Sequence, residues 1–221
     1  AAVAAFGGEA AMTDPAHTSG SARAAEAAKA MDADIVVNLQ GDEPEIDPST
    51  VERLIDLQAA RAPFASTLAC PFPPGARPED PSAVKAVLGR DLGGGVHEAL
   101  YFTRAPAPFP RDAAGALDPS GFHLHIGVYA FRADALQAFA RAPESRLERI
   151  ERLEQLRMLE MGERMLALVV EAAAPGPREG DKAAETAALE QVYPILRALA
   201  HKQLAQSRGH TLQPTELAHE A

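Results

Sequence analysis

The chain has 221 residues, room for one ordinary domain with a short appendage but too few for two full domains. Its 47% apolar and 24% charged residues support a packed core, and a formal net charge of −10 argues against general affinity for nucleic-acid backbone, which needs clustered Lys and Arg. The single cysteine, Cys70, excludes an internal disulfide and a multi-thiolate zinc site, and no run approaches the ~18 apolar residues of a membrane span, so a reducing cytoplasm is expected. The first residue is Ala and the last five break off inside a helical pattern, so both ends read as cut.

In chain order, an Ala-rich, helix-favouring stretch over 22–31 leads into a short β-branched strand over 34–39, which stops at Gly41. This is the alternation expected of a parallel sheet with helices on its faces. Asp47 and Pro48 then supply a cap and a first-turn proline for a helix carrying Val51, Leu54, Ile55 and Leu57. An extended segment over 65–70 precedes a Pro/Gly-rich loop over 71–81, and further strands are predicted at 84–88, 99–103, 123–131 and 165–170. One helix over 147–161 separates the last two, and the whole predicts an α/β domain. After Glu171 the composition turns to Pro, Gly and charge, which reads as a linker, followed by a second helical pattern over 187–206.

Four places carry candidate chemistry. Asp42 falls just after a strand, where a carboxylate can hold Mg²⁺ and Gly41 lets backbone approach a ligand; the alternative is a polar turn leading to the Asp47 cap, with Asp42 and Glu43 merely solvated. Arg104 and Arg111 stand seven residues apart across a proline-stiffened loop, suited to an acidic small molecule, unless each pairs with a surface carboxylate. On the strand over 123–131, period two puts His123, His125, Gly127 and Tyr129 on one face, leaving a slot between an imidazole and a phenol for a hydroxylated ligand; the plainer reading is a satisfied core histidine. On the helix over 147–161, Glu154 lies among Leu147, Ile150 and Met161 rather than on the polar face. Either Arg157 pairs with it, or Glu154 and Gln155 reach into a cleft and meet a sugar hydroxyl.

The segments MTDPAHTSGSAR, VVNLQGDEPEIDP, STLACPF, ALYFTRAPAPFPRD, HIGVYAFR and LERIERLEQLRMLEMGE, in this order, resemble those of the 3-deoxy-manno-octulosonate (Kdo) cytidylyltransferases, which activate a sugar acid for bacterial lipopolysaccharide. The resemblance implies a Rossmann-like nucleotidyltransferase sheet with helices on both faces, a homodimer, and reaction of CTP with Kdo in the presence of Mg²⁺. It assigns the metal to Asp42 and substrate contacts to Gln40, Arg104, Arg111, His125, Tyr129, Glu154 and Gln155. Asp42 and Arg111 carry the catalytic roles, while Ser19 and Arg23 lie by the nucleotide. Another sugar acid, such as a sialic acid, is the alternative substrate.

The chain also departs from the family pattern. The family's opening strand and triphosphate loop are absent, so the first βα unit is expected to be missing, and Ser19-Gly20-Ser21-Ala22-Arg23 lacks a family aspartate. The family's later Gly-x-Asp-Thr-x-x-Asp motif is replaced, with Asp181 a weak stand-in for its metal carboxylate. A cytidylyltransferase domain over 1–174, a linker over 175–186 and a helical tail over 187–221 are expected. The tail resembles the start of an extracytoplasmic-function sigma factor, which implies RNA polymerase or promoter DNA as a partner if the tail acts on its own.

Overall fold

The computed structural model describes residues 11–171 except 18, 32, 40–45, 74, 113, 114 and 116. Gln40, Asp42, Asp181, the linker and the sigma-like tail lie outside the described residues. The elements are α1 (Gly20–Ala28), β1 (Ile35–Leu39), α2 (Pro48–Arg61), β2 (Ala65–Pro71), β3 (Lys85–Asp91), β4 (Val96–Thr103), β5 (His123–Arg132), α3 (Ala133–Arg141), α4 (Arg146–Glu151), α5 (Leu156–Glu160) and β6 (Met165–Val169).

Capping sets the helix starts. Ser19 accepts the Ala22 N–H at the head of α1, and Asp47 accepts the Ser49 N–H at the head of α2, with Pro48 in its first turn. The α2 helix ends at Ala62 in the left-handed conformation, and the chain then turns directly into β2.

The six strands form one sheet in the order β1-β5-β2-β6-β4-β3. The sheet is mixed, which corrects the parallel expectation. Among the described pairings only β2–β6 is parallel, and β5 runs antiparallel to both β1 and β2. A three-glycine turn decides part of this: Gly93, Gly94 and Gly95 all take positive φ, so β3 returns at once as β4 in a hairpin rather than through a crossover helix.

Alternation along the strands builds two cores. On one side α2 lays Val51, Leu54 and Leu57 over Leu68, Ile126, Val128, Leu166 and Leu168. On the other, the alanines of α1 and Ala135, Leu136 and Phe139 of α3 meet Phe102, Tyr129, Phe131 and Met165. Helices therefore cover both faces of the sheet, as expected. The α3 helix was not predicted, because the strand pattern before it runs straight into the sequence Ala-Asp-Ala-Leu without a side-chain cap.

The predicted helix over 147–161 is two short helices. Arg152 takes φ 54° and closes α4, and the next three residues turn the chain before α5. Ile150 is 63% exposed and Met161 37% exposed, so the apolar stripe read from the sequence is not a buried face. Its physical cause is a pair across the break. The Arg157 guanidinium forks onto Glu148, with Nε 2.7 Å from Oε2 and Nη2 closing on Oε1. On one continuous helix two residues nine apart lie ~13.5 Å apart along the axis, so this pair requires the chain to fold back.

Candidate active site

A cleft of about 390 Å³ opens over the α1/α3 face of β5. Arg104, His125, Gly127, Tyr129, Glu154 and Gln155 all line it. Their elements explain why. The β5 strand presents His125, Gly127 and Tyr129 on one face by its period of two, and the α4–α5 turn carries Glu154 and Gln155 against them. Three segments, each more than 20 residues from the next in sequence, thus converge on one cavity.

His125 is neutral. Its Nε2 lies 3.0 Å from the Thr67 hydroxyl, which itself donates to the Val128 carbonyl at 2.8 Å. Thr67 therefore accepts from Nε2–H, leaving Nδ1 with a lone pair. Burial against Phe102 and Tyr129, with ring centroids 4.8 and 5.6 Å away, pushes its pKa down to about 3. It is thus a hydrogen-bonding group and not a resident cation.

Glu154 is the least satisfied group of the cleft. Its Oε2 accepts from the Ser21 hydroxyl at 2.9 Å. Its Oε1 is buried and has no hydrogen-bond partner. Arg157 approaches Oε1 only to 3.6 Å, because its donors are committed to Glu148 and its plane stacks 4.7 Å above the Phe139 ring. The pairing of Glu154 with Arg157 offered by the sequence is present as an ion pair without a hydrogen bond, while the hydrogen bonds of the guanidinium to a carboxylate go to Glu148. A buried carboxylate oxygen without a donor is costly in an isolated protein.

Arg104 forms part of the wall rather than a free fork. Its Nε donates to the Glu151 carbonyl at 2.7 Å, Nη1 to the Pro81 carbonyl at 2.8 Å and Nη2 to the Arg152 carbonyl at 3.3 Å. No carboxylate forms an ion pair with it among the described residues, so its charge is not cancelled by a salt bridge there. Lys85, fully buried, braces the same wall from behind, its ammonium donating to the carbonyls of Asp80 and Arg104 at 2.9 and 2.6 Å. Burial holds its pKa below the ordinary lysine value.

Not every expected residue gathers here. Arg111 is exposed and is not among the cleft-lining residues. Ser19 serves as the cap of α1, and Arg23 donates to the Thr13 hydroxyl and the His17 carbonyl; neither lines the cleft. The residue of that segment that does line it is Ser21, in the first turn of the helix, which sequence reasoning passed over. Asn38 was also missed: it stands opposite Tyr129 in the β1–β5 ladder, on the cleft face, with a buried Nδ2 that has no hydrogen-bond partner. The β1 strand ends at Leu39, opposite Val128 of β5; Gln40 and Asp42 follow it in the sequence and lie outside the described residues. The described residues contain no cluster of three His, Cys, Asp or Glu side chains able to hold a metal, and none of their helices is long and apolar enough to cross a membrane.

A mixed sheet covered by helices on both faces, with a polar cleft over β5, places the chain among the α/β nucleotidyltransferases, whose chemistry generally uses a divalent cation. It is similar to the solved structure of CMP:2-keto-3-deoxy-manno-octonic acid synthetase complexed with CTP, with TM-score 0.70 and 37% identity over 91% of this chain and 76% of that one. The family model described as cytidylyltransferase matches residues 1–165, and the chain belongs to the cytidylyltransferase family. Two relatives, each named 3-deoxy-manno-octulosonate cytidylyltransferase, come from Syntrophobacter fumaroxidans (48% identical over 152 residues) and Rhodopirellula baltica (46% over 178). The matched regions cover 67% and 77% of this chain and 58% and 69% of those relatives.

Proposed function

We propose that the chain transfers a cytidylyl group from CTP to the anomeric hydroxyl of 3-deoxy-manno-octulosonate, releasing pyrophosphate, for lipopolysaccharide synthesis in the cytoplasm and as a homodimer. The observation that carries this reading is the convergence of Glu154 and Gln155 on one cleft with a neutral imidazole, a phenol and the gap above Gly127. Such a set of acceptors and small spaces suits a polyhydroxylated ligand better than a flat or apolar one. The relatives' names and the CTP in the similar structure supply the sugar acid and the nucleotide.

In this reading Glu154, Gln155, His125 and Tyr129 bind the sugar hydroxyls, together with Gln40 and Arg111. Arg104 lends positive charge near the sugar carboxylate, and Ser19 and Arg23 lie by the nucleotide. The hydroxyl oxygen attacks the α-phosphorus while the bond to pyrophosphate breaks in line, so positioning and charge neutralisation do most of the work. Asp42, a hard oxygen donor three residues beyond the end of β1 in the sequence, is the residue suited to hold Mg²⁺, which when bound would neutralise the triphosphate. The test is a pyrophosphate-release assay with CTP, Mg²⁺ and a panel of sugar acids. Release with 3-deoxy-manno-octulosonate and not with sialic acid is expected; preference for sialic acid, or no release with either, overturns the reading.

A further inference from the structure

Thr67 is buried in the middle of β2, at the point where the β2–β5 ladder is irregular. Its Cα partner on β5 is Tyr129, while the next residue, Leu68, pairs with Ile126, so Gly127 and Val128 have no partner on β2. The Thr67 hydroxyl stands in that gap, 2.8 Å from the Val128 carbonyl, 3.3 Å from the Ile126 carbonyl and 3.0 Å from His125 Nε2. A hydroxyl has one hydrogen, and a carbonyl can only accept it. The hydrogen therefore goes to the carbonyls, and the imidazole is the donor to the hydroxyl oxygen. With Nε2 turned to the sheet, Nδ1 points away from it, and the neighbouring Phe102 and Tyr129 rings confine the imidazole in that pose. Nδ1 makes no hydrogen bond to a described residue. The sealed side-chain N and O atoms without a partner among the described residues are Asn38 Nδ2 and Glu154 Oε1, so Nδ1 keeps contact with solvent, which the cleft lined by His125 supplies.

We propose that Thr67 is a positioning residue for His125: its hydroxyl accepts the Nε2–H, fixes the ring in that tautomer and so presents Nδ1 as an acceptor to a substrate hydroxyl. The inference rests on the functional reading above and deepens it, since it sets the polarity of one contact with the sugar, where the imidazole accepts and the ligand donates. Without the hydroxyl, Nε2–H has no acceptor, that tautomer loses its preference, and an Nδ1–H that can only donate competes for the cleft. No covalent step is involved, because Thr67 does not line the cleft and acts only through the ring. A role confined to the ladder irregularity would need a donor to the Val128 carbonyl and nothing from the imidazole.

Two measurements decide it. Nitrogen NMR of the isotope-labelled 221-residue chain at neutral pH, with the His125 signals assigned by their loss in His125→Asn, reads the tautomer without any activity. The proton is expected on Nε2 in wild type and in Thr67→Ser, which keeps the hydroxyl, and on Nδ1 or shared between the two nitrogens in Thr67→Val. Nδ1–H in the wild type, or an unchanged Nε2–H in folded Thr67→Val, overturns the proposal. Thr67→Ala replaces the valine variant should that one not fold, and the wild-type tautomer is a test that needs neither. In steady-state kinetics Thr67→Val is expected to raise the KM for the sugar acid about tenfold while the KM for CTP stays within about twofold, and Thr67→Ser to keep both at the wild-type value. Equal movement of both KM values, no movement, or failure of Ser to rescue would assign Thr67 a merely structural role and overturn the proposal. Absence of pyrophosphate release from the wild type defeats the functional reading instead, and the NMR comparison then decides the role of Thr67 alone.

Discussion

The two faces of β5 share ten consecutive residues and have opposite roles. Ile126, Val128 and Ala130 face α2 and are sealed, whereas His125, Gly127 and Tyr129 face the cleft. The sealed face is apolar packing beside one buried polar pair, Ser66 with Gln58, and its contacts are already made, so its worth lies in stability. On the cleft face the groups are polar and line an open cavity, so part of its worth is deferred to a ligand. The difference teaches that a single strand can serve as core and as binding wall because side chains alternate, each face answering to a different partner.

This contrast can be broken or sharpened by substitution. The largest effect is expected from Asp42→Ala, which should lower turnover about 10³-fold, some 4 kcal/mol, by removing the proposed metal carboxylate while leaving stability unchanged. Wild-type turnover in that variant would detach the cleft from metal-assisted transfer. Next comes Leu54→Ala on the sealed side. Leu54 is 0% exposed beneath the sheet, and its truncation should cost about 3 kcal/mol in urea unfolding while the KM values stay at their wild-type level. A raised sugar KM in this variant would show that the two faces are not independent.

The smallest effect belongs to His125. Its folded pKa of about 3 lies below the ordinary value of 6.5, so between those values the unfolded chain binds a proton that the folded chain refuses. Stability should therefore fall as pH drops through that window, by up to about 1.4 kcal/mol per pH unit from this group, and be independent of it above pH 6.5. Comparing urea unfolding of wild type and His125→Asn at pH 7, 6 and 5 isolates the contribution. Equal slopes would mean that the imidazole is hydrated and accepts a proton in the folded state.

How much of this was legible in the sequence differs from element to element. The strands at Ile35–Leu39, Ala65–Pro71, His123–Arg132 and Met165–Val169 appear as short β-branched or apolar runs, and Asp47-Pro48 announces α2, because these signals are local. The cleft-facing set on β5 was readable for the same reason, since a period of two needs no neighbours. Ser21 and Asn38 were not, because a serine in an Ala-rich helix and an asparagine in a strand show no local excess of anything. Only the partner across the fold gives them meaning.

The clearest case is the segment from Arg146 to Glu160. Its sequence contains no Gly or Pro and has the composition of one helix, and a helix is what it predicts. The break at Arg152 and the turn carrying Glu154 and Gln155 into the cleft follow from the Glu148–Arg157 pair and the packing of Leu153, Leu156 and Met158 beneath the sheet. Likewise the residues specified strands but not their directions, and the mixed sheet emerged when β5 was seated between β1 and β2. Local propensities favour a conformation by tenths of a kcal/mol per residue, while a buried ion pair and its surrounding core are worth several, so where the two disagree the tertiary contacts prevail.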